Sequence, residues 1–104
     1  MIPPVCRHID AVLNDHFRVL IKTLRTKHAC SEGAIEAFTA CMYRQGSIIK
    51  YGHSVLRLND QDENLDQVTN VLMRGIDDSH RPDVFVLVHR FMDTICEYTD
   101  SYNY

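Results

Sequence analysis

The sequence predicts an all-α protein, a compact antiparallel bundle of five to six helices in one domain spanning residues 1–104. Three observations carry this. Apolar residues recur at a helical spacing along nearly the whole chain. Turn-forming residues interrupt that spacing at short, regular intervals. The composition, 45% hydrophobic and 24% charged, is that of an ordinary globular domain rather than a disordered chain.

The first segment runs from about Pro4 to Lys27. Pro3 and Pro4 suit a first helical turn, where a missing N–H costs nothing. Val5, Ile9, Val12, Leu13, Leu20 and Leu24 fall on one stripe, and Arg7, Arg18, Lys22 and Arg25 fall on the opposite one. His16 sits within the apolar stripe and reads as a core histidine with a hydrogen-bond partner. Val19, Leu20 and Ile21 widen the apolar face, which implies a helix enclosed by several neighbours.

The second segment opens at Ser31, a good N-cap, followed by Glu32 at the positive end of the helix. Its core face is Ile35, Phe38, Cys41 and Met42, and Gly46 supplies a left-handed stop. A short third segment, Ser47 to Leu58, carries Ile48, Ile49, Val55 and Leu56. After a polar connection, Leu65, Val68, Val71 and Leu72 mark the fourth, which Gly75 ends. Ile76–Arg81 reads as a loop with Ser79 as a candidate cap. Pro82 and Asp83 then open the fifth segment, with Val84, Phe85, Val88, Phe91, Met92 and Ile95 facing inward. A β-strand over Val84–Val88 is the alternative, but the helical period continues to Ile95. Residues 98–104 are expected to fray.

Composition bounds the function. No apolar run is long enough to cross a bilayer, and Met1–Asp10 lacks the basic start and apolar stretch of a secretory signal, so no membrane partner is expected. The four cysteines, at 6, 30, 41 and 96, match no framework of paired C-x2-C ligands and read as reduced thiols in the cytoplasm. Six histidines offer only two-ligand pairings near one another in sequence, Cys6 with His8 and His28 with Cys30, so no metal and no cofactor is expected. No phosphate loop, dinucleotide fingerprint, nucleophile elbow or zinc-protease motif is present, and an enzyme is not expected.

Charge is more informative. Residues 1–57 hold eight Lys/Arg against four Asp/Glu, and residues 58–104 hold three against ten. A basic front and an acidic back can present opposed patches. The basic residues Arg7, Arg18, Lys22 and Arg25 and the acidic residues Asp62, Glu63 and Asp66 are the candidate partner-binding set. The overall charge of −3 argues against nucleic acid as the partner, since such domains carry a positive excess. Protein docking by charge complementarity fits both halves.

The order of segments resembles a caspase-recruitment domain of the death-fold superfamily. Arg44-Gln45-Gly46-Ser47-Ile48 stands where that family passes from its second to its short third helix. Arg81-Pro82-Asp83-Val84-Phe85 stands at the start of its fifth helix, and Asn64-Leu65-Asp66-Gln67-Val68 at the start of its fourth. The resemblance implies a death-fold-like architecture and an adaptor role in apoptotic or innate-immune signalling. The partner would then be another domain of the same fold, with homo-oligomers possible. The alternative is a small structural or regulatory subunit, viral for instance, that docks through an apolar surface formed by Val19, Ile21, Val86 and Leu87.

Overall fold

Helix α1 (Pro4–Lys27) ends in a turn tight enough to start the next helix within four residues. Ala29 adopts a left-handed conformation (φ 50°), and the N–H of Cys30 reaches back to the carbonyl of Leu24 at 3.2 Å. The closure spans six positions, one more than the usual Schellman bond, and as there the residue before the donor takes positive φ. The residues that normally flank such a stop apolarly are here Leu24 and Cys30, both buried. Glycine usually fills the left-handed position, because a Cβ there costs about 1 kcal/mol. Ala29→Gly is therefore expected to raise unfolding free energy by about 0.5–1 kcal/mol, part of the gain being offset by the looser unfolded chain. Chemical denaturation would show it as a higher midpoint.

A computed structural model describes residues 4–44, 46–49 and 63–102, with side chains for 8–44, 46–49 and 67–98. Helix α2 (Glu32–Met42) begins where Ser31 turns extended (φ −64°, ψ 148°) and its Oγ accepts the Ala34 N–H at 3.2 Å. It ends near Gly46, whose φ of 74° is the expected left-handed stop. Helix α3 covers Glu63–Met73, and a single 3-10 turn (Asp78–His80) leads into helix α4 (Arg81–Tyr102). The protein is all-helical, with no strand among the described residues. The radius of gyration, 13.5 Å, is that of a compact chain, for which about 13 Å is typical at 100 residues. Most of the predicted third segment lies outside the described residues; its start, Ile48 and Ile49, is buried.

Helix α1 lies along α4, and α2 lies along α3. The α1–α4 pair is antiparallel: His16 meets Tyr98, Phe17 meets Phe91, and His28 meets His80. Leu13, Phe17, Leu20 and Leu24 form the buried stripe of α1, at i, i+4, i+7 and i+11. Val84, Val88, Phe91, Met92 and Ile95 form that of α4, and Val68 and Leu72 that of α3. The two helix pairs join through aromatic rings. Phe17 stacks on Phe38 of α2 (centroids 5.7 Å, 26°) while touching Tyr43 edge-on and Phe91 at a tilt. Ser47, also buried, donates from Oγ to Asp10 Oδ1 at 3.3 Å, and the Tyr43 hydroxyl donates to Asn14 Oδ1, so the end of α2 is tied to the first half of α1.

Several sequence expectations need correcting. His16 is exposed, with its ring against Tyr98, because α1 turns the Leu13–Phe17–Leu20 stripe inward and leaves position 16 at its edge. Val19 is 66% exposed, so α1 is not enclosed on all sides. Phe85 lies about a quarter-turn from Val84 and is 42% exposed, its ring tilted 31° against His89 with centroids 3.9 Å apart. Cys41 is half-buried rather than a core residue. Ser79 lies inside the 3-10 turn instead of capping a helix. Helix α4 runs to Tyr102, and Tyr98 packs against the core.

Candidate docking face

Three cations of the stripe expected on α1 have described side chains. Arg18, Lys22 and Arg25 are all exposed and succeed one another at i, i+4 and i+7, the spacing of one helical face. Beside them runs a shallow groove of about 370 Å3 between α1 and α2. Phe17 and Ile21 from α1, and Ile35 and Tyr43 from α2 and its cap, give the groove an apolar floor. The three cations line its edge. Burial of Phe17 and Ile35 in the core fixes the floor, so the cations project from a rigid base.

The three cations are not equivalent. Arg25 grips Glu32 at the start of α2 with two parallel contacts, Nε to Oε1 at 2.6 Å and Nη2 to Oε2 at 3.0 Å. Those hydrogen bonds hold the Glu32 carboxyl below the usual carboxylate range and raise the arginine further above its own. Arg25 thus fastens α1 to α2. Arg18 has only a loose contact to Asp15 at 3.7 Å, with both side chains about four-fifths exposed, and such a pair contributes little. Lys22 has no ion pair among the described residues. Arg18 and Lys22 are the cations available to a partner.

The remaining predicted residues are placed less fully. Arg7 lies in the first turns of α1, and Glu63 and Asp66 in the first turn of α3. Their side chains, like the whole of Asp62, lie outside the described residues. The acidic half does contribute Asp77, Asp78 and Asp83, all exposed, around the 3-10 turn. Asp78 pairs with Arg81 at 3.1 Å. The His28–His80 contact brings this acidic corner to the end of α1 that bears Arg25 and Lys27. Part of the acidic half, Asp77, Asp78 and Asp83, therefore lies near the basic end of α1.

Cys30 is buried, and burial pushes its thiol up, which keeps it protonated and a weak nucleophile. Among the described residues no group of three or more His, Cys, Asp or Glu gathers around a common point, and no helix is long and apolar enough to cross a membrane. Sequence reading missed the His28–His80 pairing, because 52 positions separate the two residues. It also missed the part of Tyr43 in the groove, where the only available signal was an aromatic at the end of an apolar stripe. In comparison with family models, with curated proteins and with solved structures, none matches this chain.

Proposed function

We propose that this chain is a protein-docking module of caspase-recruitment-domain type, in which the Arg18–Lys22 face of α1 receives an acidic surface of another domain of the same fold. The pathway that this reading implies is apoptotic or innate-immune signalling. The observation that carries it is the α1–α2 groove: two exposed arginine and lysine side chains stand over a rigid apolar floor, so charge can steer a partner and apolar contact can hold it. A caspase-recruitment domain orders six helices in a Greek key, and an experimental structure of the whole chain tests that arrangement directly.

The functional test uses Arg18→Glu with Lys22→Glu, and leaves Arg25 in place. Reversing Arg25 would set two carboxylates together at position 32 and confuse lost folding with lost binding. Affinity for the chain itself, and for a panel of isolated caspase-recruitment domains, is read by calorimetry and sedimentation. The double variant is expected to keep its helicity and bind roughly tenfold or more weakly. Wild-type binding should fade as salt rises and the screening length falls from about 8 Å at 0.15 M to about 3 Å at 1 M. Unchanged affinity in the folded double variant removes the proposal.

A second reading has its own support. Val19, Phe85 and Val86 are 66%, 42% and 46% exposed, large apolar side chains in contact with water. A structural subunit docking through them would bind with little response to salt, and Val19→Asp or Val86→Asp would weaken it where the charge reversals would not.

A further inference from the structure

His28 and His80 stand 52 positions apart in the chain and meet with their Nδ1 atoms 3.0 Å apart. Their rings stand nearly perpendicular, at 80°, with centroids separated by 5.2 Å. Both residues are half-buried. The backbone fixes each of them. His28 follows the last turn of α1, at the start of the closure made by Ala29 and Cys30, and the His80 N–H donates to the Asp77 carbonyl at 3.0 Å within the 3-10 turn.

We propose that this pair is a two-histidine site for a divalent transition-metal ion of the zinc, nickel or copper type. The contact requires one Nδ1 to donate and the other to accept, so one lone pair already faces the other nitrogen. A metal ion uses both lone pairs at once. Two ligand bonds of about 2.0–2.1 Å at a tetrahedral angle place their nitrogens about 3.3–3.4 Å apart. The observed separation is within a few tenths of an ångström of that, a shift that half-exposed side chains can make. Asp77 and Asp78 sit on the same turn, Asp78 paired with Arg81, and among the described residues no third His, Cys, Asp or Glu joins the two imidazoles. Water completes the coordination, so the site is weaker than a four-ligand structural zinc.

The consequence is linkage between metal and fold. The ion bridges the end of α1 to the turn before α4, and residues 52 apart in sequence meet only in the folded state. It therefore stabilises the native state alone.

Thermal unfolding of the full chain in zinc chloride, with magnesium chloride as the control, tests this. At a free zinc concentration ten times the dissociation constant, the melting temperature is expected to rise by about 5–10 °C. His28→Gln and His80→Gln should each abolish the rise, and magnesium should produce none. A wild type that does not respond, a rise that survives in either variant, or an equal rise with magnesium would overturn the site. Should a variant fail to fold, nitrogen-15 NMR of wild-type imidazoles decides the matter. Zinc should move the Nδ1 signals of His28 and His80 together, and movement confined to other histidines would sink the proposal.

Discussion

Alanine in place of Phe38 is expected to lower the unfolding free energy by about 3–5 kcal/mol. Phe38 is wholly buried and is the largest such side chain in the described core. Its ring is the part of α2 that stacks on Phe17, and Phe17 in turn touches Phe91 of α4. Removing it deletes apolar contact and leaves a void at the join of the two helix pairs, which rigid helices can fill only in part. Against a total stability of about 5–15 kcal/mol for a domain of this kind, the loss is a large fraction. Urea denaturation followed by circular dichroism is the measurement. The midpoint should fall while the dependence on urea stays the same. A loss below about 1.5 kcal/mol, the range of a volume-conserving swap, would show that the aromatic join is not what holds the pairs together.

Gly75→Ala is expected to cost about 2 kcal/mol, and about half of that cost should disappear when Ser31 is also alanine. A Cβ built on Gly75 would lie 2.6 Å from Ser31 Oγ, 3.3 Å from Ser31 Cβ and 3.4 Å from Ala34 Cβ. Gly75 does not have a left-handed φ, so close approach is what requires glycine here. The hydroxyl in the way is the one that accepts the Ala34 N–H and caps α2. Moving it aside forfeits the cap, worth about 1 kcal/mol, and the remaining carbon contacts are still tight. In Ser31→Ala the cap is already gone and the oxygen with it, so alanine at 75 meets only the two methyl carbons. A double-mutant cycle on unfolding free energies should show strong coupling. Equal costs of Gly75→Ala in both backgrounds would rule out the hydroxyl as the obstacle.

Position 75 also illustrates what a sequence conceals. Gly75 reads as a helix stop, and α3 does end just before it, at Met73. Its closer role is to let the turn after α3 pass against the start of α2, a contact between segments over 40 positions apart in the chain. Ala29 is the converse case, a left-handed stop filled by a residue that gives no glycine signal. Ser31 and Gly46 were legible, because capping and left-handed turns are local and leave their residue type in the sequence. Phe85 and His16 were misplaced because a residue at the edge of an apolar stripe can fall on either side of it, depending on how the helix is rotated against its neighbour.

The candidate face divides in the same way. The cations of α1 were legible as one stripe, since their spacing is set by the helix alone. That Arg25 is committed to Glu32, while Arg18 and Lys22 stand clear over a groove, depends on where α2 lies.

By itself the sequence determined the four helices among the described residues, most of their buried stripes, the cap at Ser31, the stop at Gly46 and the exposed cations of α1. Each of these follows from residue type and from the helical period over a few turns. Only the tertiary structure decided that Phe17 joins the helix pairs, that Gly75 passes against the α2 cap, that Asp77, Asp78 and Asp83 lie near the basic end of α1, and that His28 meets His80. Those are contacts between segments far apart in the chain. They depend on how packed helices are rotated and offset against one another, which periodicity within a single helix does not encode.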